Sequence, residues 1–205
     1  MTPQPTDHLW WLVSRSAGIV ALILISTSVL IGLAMASKLF RRPGIPAVLN
    51  ALHEQLAVAG LIAIGVHGVA LLGDPFIRPR LAGISVPFAI DYRSAFVAAG
   101  IVGGYLAAVL GLSYYARRRF GSKRWRNAHR FIVIAWMLSV VHVLGAGTDA
   151  AIPAVRWAVL APILPAVVLG LARFLPRRGG SATKPRQAPH RDPAPSAGSV
   201  SPGGI

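Results

Sequence analysis

Four histidines lie inside apolar stretches of the sequence, and they are the residues best suited to chemistry. His53 and His67 stand fourteen positions apart in the segment HEQLAVAGLIAIGVH, and His129 and His142 stand thirteen apart in a later apolar segment. A neutral imidazole can enter hydrocarbon, and one of its ring nitrogens offers a lone pair to a metal. Whether the four can act together depends on the elements that position them.

The composition places these histidines in a membrane. Hydrophobic residues make up 54% of the 205-residue chain and charged residues only 13%, whereas soluble domains carry about 25% charged residues. The absence of cysteine excludes disulfides, thiolate metal sites and covalent C-x-x-C-H heme attachment. The net charge of +15 lies in short runs between apolar segments. That placement fits membrane orientation and contact with lipid, so no nucleic-acid partner is expected.

Five apolar segments are each long enough to cross about 30 Å of hydrocarbon as a helix. They cover residues 15–36, 46–72, 94–116, 127–147 and 152–175. The segments do not alternate between polar and apolar residues as barrel strands do, so the sequence predicts an all-α, polytopic membrane helix bundle. The stretch GLAMASK contains the pattern of a signal-peptidase site. The apolar run before it is longer than a signal peptide's, and basic residues follow it, which favours an uncleaved helix.

Basic residues predict the orientation of the bundle. Alternate loops and the C-terminal region contain 16 lysines and arginines, against 5 on the opposite side. The positive-inside rule then puts the N-terminus outside and the C-terminus in the cytoplasm. The expected organisation is an extracytoplasmic segment over 1–9, a transmembrane domain over 10–175 and a cytoplasmic tail over 176–205. The tail is rich in Pro, Gly, Ser and Ala and is expected to be disordered.

This topology brings the histidines to two levels. The second and fourth helices run in the same direction, so His53 and His129 share the inner level and His67 and His142 share the outer level, about 20 Å away. Two histidines at one depth can be the axial ligands of a heme iron, and two stacked pairs make a path for electrons. On an ideal helix His142 lies about 140° from His129. The fourth helix must therefore tilt, distort or present its ligands from different sides.

Other interpretations of the four histidines remain. Each could be a packed hydrogen-bonding residue between helices. Zinc is a weaker alternative, because its protein ligands cluster within one or two turns and number three or four. A proton relay usually includes carboxylates, and Glu54 is the main one inside these spans.

Five further residues are candidates for cofactor binding: Gly60, Trp136, Arg15, Arg126 and Arg130. Gly60 is seven positions from both histidines of the second helix, where a glycine lets a flat macrocycle approach the backbone. Trp136 lies seven positions after the first histidine of the fourth helix, either between two hemes, in the core or facing lipid. Heme propionates are anionic, so Arg126 and Arg130 are candidates at the inner level and Arg15 at the outer level. The alternatives are orientation charge for the first two and snorkelling for Arg15.

Three sequence blocks around the H-x13-H and H-x12-H pairs resemble the ferric reductase-like transmembrane domain superfamily. They are RSAG in the first helix, HEQLAVAGLIAIGVHGVALLGD in the second and GSKRWRNAHRFIVIAWMLSVVHVLGAGTD in the fourth. The superfamily includes ferric-chelate reductases, the NADPH oxidase membrane domain and the heme-binding subunit of the bacterial methionine-sulfoxide reductase system. The resemblance covers roughly residues 10–150. It implies that His53, His67, His129 and His142 ligate two non-covalent b-type hemes.

The chain also departs from this superfamily. Fused members carry a cytoplasmic flavin/NAD(P)H domain where this sequence has its tail, and many have one more helix. The expected donor is therefore a separate cytoplasmic flavoprotein or membrane quinol, with flavin present only through a partner. The acceptor could be ferric iron, oxygen, a periplasmic protein or a flavin.

The expected function is that of a diheme cytochrome in the bacterial plasma membrane. It would be an oxidoreductase component that carries electrons from the cytoplasmic side to an external acceptor. The alternatives are a quinol-linked heme subunit of a periplasmic reductase complex and a heme-free helical transporter or scaffold.

Overall fold

The computed structural model describes residues 8–39, 42–75 and 77–172. In this part of the chain the regular elements are helices and there is no strand. The predicted tail over 176–205 and most of the predicted N-terminal segment over 1–9 lie outside the described residues. In chain order the elements are α1 (Leu9–Ala36), α2 (Ile45–Leu71), α3 (Leu81–Ser85), α4 (Ser94–Leu112), α5 (Arg117–Phe120), α6 (Ser122–His129), α7 (Ile132–Ala146), a 3-10 turn (Thr148–Ala151), α8 (Pro153–Leu160) and α9 (Ile163–Ala172).

Five helical stretches within the described residues are long and apolar enough to cross a membrane, which confirms the predicted number. They are α1, α2, α4, the stretch Ser122–Ala146 that joins α6 and α7, and the stretch Pro153–Ala172 that joins α8 and α9. By length and composition the chain is thus a multi-pass helical membrane protein. The first helix begins at Leu9, earlier than predicted, because the residues before Arg15 are themselves mostly apolar. The third ends at Leu112, since the backbone changes to i→i−3 hydrogen bonds from Tyr114 onward.

Small side chains fill the interior of the bundle, and large apolar ones face outward. The buried residues are mainly alanine, serine and glycine, whereas many leucines, valines and isoleucines are exposed. This arrangement is expected in lipid, where apolar surface gains nothing from burial and close backbone approach stabilises helix pairs instead. Helix α1 packs along α2, and α4 packs along α7. These two helix pairs contain three of the four intramembrane histidines, and the fourth, His129, is the last residue of α6.

The fourth span is interrupted directly after His129. Helix α6 ends at this residue, and α7 begins at Ile132. Between them the N–H of Phe131 donates to the carbonyl of Ala128, three residues back instead of four. A tighter turn advances the helix by more degrees per residue than an α-helical turn. Of the three outcomes that the 13-residue spacing left open, the structure therefore has a local distortion of the helix.

A second contact region joins α1 to the last three helices. Trp136 and Val140 of α7 pack in one buried cluster with Val29 and Leu33 of α1, and Val159 and Ala166 of α8 and α9 belong to it as well. Helix α1 is thus held on one side by α2 and on the other by α7 and α9. This central position lets α1 orient histidines of α2 from within the bundle.

Candidate functional site

The four intramembrane histidines form two pairs. The ring centroids of His53 and His129 are 6.1 Å apart, with the ring planes at 89°. The centroids of His67 and His142 are 6.2 Å apart, with the planes at 72°. The earlier residue of α2 pairs with the earlier residue of the fourth span, so these two spans run parallel. This is the pairing that the sequence predicts.

Helix α1 anchors the histidines of α2 through reciprocal hydrogen bonds. Nδ1 of His53 lies 2.8 Å from the backbone carbonyl of Ser28, while the Ser28 hydroxyl donates to the carbonyl of His53 at 3.1 Å. Ser14 and His67 repeat this arrangement with the same two distances. The same serine hydroxyls lie 2.9 Å and 3.0 Å from the Nδ1 atoms. Side chain and backbone of each partner thus hold the other, which fixes both the position and the rotation of each ring.

A glycine lies against each of these two rings. A Cβ added at Gly32 would come 3.1 Å from Cε1 of His53, and one added at Gly18 would come 3.0 Å from Nδ1 of His67. Sequence reasoning missed these residues, although a signal was present. The pattern S-x-x-x-G occurs twice in α1, at Ser14 and at Ser28, and its fourteen-residue period equals the spacing of the two histidines in α2.

Helix α4 anchors the other two histidines through backbone carbonyls. Nδ1 of His129 lies 3.2 Å from the carbonyl of Leu110, and Nδ1 of His142 lies 2.9 Å from the carbonyl of Phe96. Gly100 leaves room for the second ring, because a Cβ at this position would lie 2.5 Å from Nδ1 of His142. Helices α2, α6 and α7 thus present the histidines, and α1 and α4 position them.

The same ring nitrogen is bonded in all four histidines, and this determines the tautomer. A backbone carbonyl only accepts hydrogen bonds, so Nδ1 carries the proton and Nε2 keeps its lone pair. No Nε2 atom of the four has a hydrogen-bond partner among the described residues. A ring whose N–H is held by a carbonyl is a typical metal-bound histidine arrangement. In each pair both Nε2 atoms thus keep an unbonded lone pair.

An aromatic cluster covers the inner pair, His53 and His129. Trp125 stacks on the ring of His129 at a centroid distance of 4.9 Å, and its indole N–H donates to the Ser113 hydroxyl at 3.2 Å. Tyr114 meets the edge of Trp125 at 5.6 Å, and the guanidinium of Arg117 lies 3.7 Å over Tyr114. A continuous line of contacts thus runs from the basic loop after α4 to one histidine. No spacing pattern in the sequence points to Trp125.

A groove opens beside the same pair. Its cavity volume is ≈ 70 Å³, and both histidines of the inner pair line it. Glu54 and Tyr115 stand at its edge, where the phenol donates to the carboxylate at 3.1 Å. This hydrogen bond raises the pKa of the Tyr115 phenol above its ordinary value.

Two further candidates from the sequence make contacts with α1. Gly60 faces Ile25, and a Cβ added at Gly60 would lie 2.6 Å from Cδ1 of Ile25. The small size of Gly60 therefore serves the packing of α2 on α1. Trp136 is buried, and its indole N–H donates to the Ser26 hydroxyl at 2.9 Å. Of the alternatives for Trp136, the structure shows a core position.

The three candidate arginines are not equivalent. Arg15 forms an ion pair of 2.5 Å with Asp149 and lies 4.6 Å over the ring of Trp11. It follows Ser14 in α1 and is therefore at the level of the outer pair, His67 and His142. Arg126 and Arg130 are exposed, and neither has an ion pair within the described residues.

No group of three or more His, Cys, Asp or Glu side chains within the described residues could hold a metal ion. The described residues therefore contain no set of the three or four protein ligands that zinc usually has. The arrangement present is two separate pairs, which suits a metal that needs only two protein ligands. The chain matches no protein-family model, no curated protein and no solved structure.

Proposed function

We propose that this protein is a diheme b-type cytochrome that carries electrons across the membrane, with His53 and His129 as the residues that would hold one heme and His67 and His142 as those that would hold the other. When bound, heme b supplies a one-electron iron couple. The chain itself supplies two nitrogen donors for each iron. The observation that carries the proposal is the pairing of these histidines with all four Nδ1 atoms held.

The separation of the rings supports shared ligation. With metal–nitrogen bonds of about 2.0 Å, two imidazoles on opposite sides of one metal have ring centres roughly 6.3 Å apart. The centroid distances in the two pairs are 6.1 Å and 6.2 Å. Histidines that only pack helices together need no such gap between their rings, and no hydrogen bond joins the two rings of either pair.

The surroundings of the rings hold them in place and leave one groove beside them. Glycines make room for three of the four rings, and the groove beside the inner pair has both histidines in its wall. Arg15 at the outer level and Arg126 and Arg130 at the inner level are candidates to pair with propionates, as their positions near the span ends allow. Arg15 would have to share its charge with Asp149.

Basic asymmetry supports the direction of electron flow. The excess of lysine and arginine on one side puts the basic residues between α4 and His129 at the cytoplasmic face of a bacterial membrane and the N-terminus outside. The inner pair then lies next to a cationic surface that includes Arg117, and such a surface steers an acidic redox partner by long-range attraction. Electrons would enter here and leave at the outer pair toward an acceptor outside the plasma membrane.

The donor is a separate flavoprotein or a membrane quinol. The described residues contain no strand and hence no α/β fold of the kind that binds a dinucleotide. Splitting a hydride from NAD(P)H into single electrons requires a flavin or a similar cofactor. Purified, heme-loaded protein should therefore stay oxidised with NADPH alone and be reduced by a flavin reductase or a quinol analogue. Rapid reduction by NADPH alone would contradict this part of the proposal.

Heme content tests the ligand assignment directly. The purified protein should show a b-type absorption spectrum with two hemes per chain. Single His→Ala changes at positions 53, 67, 129 and 142 should each lower the heme-to-protein ratio, because each removes one axial ligand. The matched control is His8→Ala, which changes a histidine at the start of the described residues. Full heme occupancy in both His67→Ala and His142→Ala would refute the outer site, and a colourless protein would favour the transporter or scaffold.

A further inference from the structure

We propose that residues 81–90 lie within the hydrocarbon of the bilayer as a re-entrant segment between α2 and α4. These ten residues, LAGISVPFAI, include no charged side chain. Charges stand at both ends, with Arg78 and Arg80 before the segment and Asp91 and Arg93 after it. An apolar stretch of this length is too short to span a bilayer and is typical of a re-entrant or interfacial element.

A hydrogen bond to α4 sets the depth of the segment. The hydroxyl of Tyr105 donates to the carbonyl of Ser85 at 2.7 Å. Tyr105 is eleven residues after Ser94, the first residue of α4, which corresponds to about 16 Å along the helix axis. Since a tyrosine side chain reaches about 6 Å, the carbonyl of Ser85 lies roughly 10 Å along α4 from its first residue. That level belongs to the apolar part of a helix long enough to cross the membrane.

Part of the segment's backbone is hydrogen-bonded within the protein, which lowers the cost of placing it in hydrocarbon. The N–H of Val86 donates to the carbonyl of Ala82 at 2.8 Å, and the hydroxyl of Ser85 donates to the carbonyl of Leu81 at 2.6 Å. The carbonyl of Ser85, at the end of this single helical turn, accepts from the hydroxyl of Tyr105. These groups thus have partners without water.

The side chains of the segment face outward and are apolar. Leu81 and Phe88 are each 70% exposed, and Val86 is 50% exposed. In water these three would form an apolar patch with no cover, whereas acyl chains cover them at this depth. The flanking arginines suit the same placement, because their long side chains extend from an interface to phosphate headgroups. The partner that this surface fits is therefore lipid, on the outer side in the proposed orientation.

Left-handed residues give the segment its path. Phe88 has a φ of 65° and Arg93 a φ of 42°, a conformation that bulky residues adopt rarely and that reverses the chain. The guanidinium of Arg93 also donates to the carbonyl of Gly145 at the end of α7, at 2.6 Å. The returning end of the segment is thus tied to the helix that carries His142, and the segment is a fixed part of the bundle.

The absence of cysteine from the chain makes a direct test available. Single cysteines are introduced in the full-length protein as Phe88→Cys and Leu81→Cys, with Asp91→Cys as the matched control at the charged edge. Vesicles opened to reagent on both faces are treated with a charged maleimide, so that orientation does not affect the result. We expect both test positions to react at least about tenfold more slowly than the control, because thiolate forms poorly in apolar surroundings. Detergent denaturation should make all three equal.

Spin labels at the same positions identify what covers the segment. At Phe88→Cys and Leu81→Cys we expect collisions with oxygen, which dissolves in lipid, to exceed those with a water-soluble nickel chelate, and the reverse at Asp91→Cys. Maleimide reaction at the control rate would refute the proposal. Protection from maleimide, oxygen and nickel together would also refute it, since the cover would then be protein. Gel filtration and circular dichroism of each variant verify folding, and neither readout depends on heme.

Discussion

Gly100→Ala is the substitution that tests the outer site most sharply. A Cβ at this position would lie 2.5 Å from Nδ1 of His142, about 0.9 Å short of an ordinary contact of 3.4 Å. The same nitrogen donates to the carbonyl of Phe96 at 2.9 Å, so the ring cannot shift on that side without losing this hydrogen bond. It must move by most of an ångström, whereas metal–ligand distances tolerate about 0.2 Å. We therefore expect the ring to lose its ligand position and the heme content to fall by about half.

The assay is the heme-to-protein ratio of purified protein, with Gly104→Ala as the control. Gly104 is on the same helix, one turn further on, and a Cβ there would lie 3.7 Å from Cγ2 of Ile64, an ordinary contact. This control should keep both hemes. Full heme content and an unchanged spectrum in Gly100→Ala would show that His142 is not held as the structure has it.

A second measurement on Gly100→Ala does not involve heme. Overpacking of this kind costs about 1–3 kcal/mol of unfolding free energy. In a His142→Ala background the clashing ring is gone, so most of this cost should disappear. The coupling between the two changes is obtained from a double-mutant cycle on the protein without heme. Strictly additive effects would mean that the added methyl group meets something other than the ring.

Two further predictions concern the anchor on α1 and the orientation of the chain. Ser28→Ala removes the hydroxyl but leaves the backbone carbonyl that holds Nδ1 of His53. The free energy of unfolding should therefore fall by about 0.5–1.5 kcal/mol, while heme content stays unchanged. Loss of the inner heme would show that the hydroxyl, and not the carbonyl, orients the ring. Reporter fusions after residue 180 should be active only with a reporter that works in the cytoplasm, because basic residues number 16 on that side and 5 on the other. Activity of a periplasmic reporter at this position would invert the proposed electron path.

The sequence predicted the helix number and the histidine pairs because both depend on simple periodicities. Apolar runs of sufficient length define the spans, and two histidines per parallel helix at spacings of fourteen and thirteen must share two levels. The interruption after His129 could not be predicted in the same way. The two residues at the interruption are Arg130 and Phe131, and neither is a Pro or Gly that would mark a break in the helix. The distortion arises because both histidines of this span are held against α4.

Gly60 illustrates how a sequence can indicate a helix face without indicating what packs against it. Seven residues correspond to nearly two turns, so Gly60 does lie on the side of α2 that carries His53 and His67. That side is turned toward α1, since both Nδ1 atoms bond to backbone carbonyls of α1. A glycine there therefore meets Ile25. The sequence of α2 alone does not contain this information, but the matching repeat of Ser14 and Ser28 in α1 does.

The two histidine pairs are equivalent on one side and different on the other, and this difference bears on function. Toward α1, each histidine of α2 has a serine, a carbonyl at 2.8 Å and a glycine. Toward α4, His129 has a carbonyl at 3.2 Å and a stacked Trp125, whereas His142 has a carbonyl at 2.9 Å and Gly100. A shorter bond from Nδ1 makes the imidazole a stronger donor, which favours the oxidised metal. In a diheme protein, any difference in reduction potential that the ligands impose would therefore originate on the side of α4, where Trp125 also links one site to the surface.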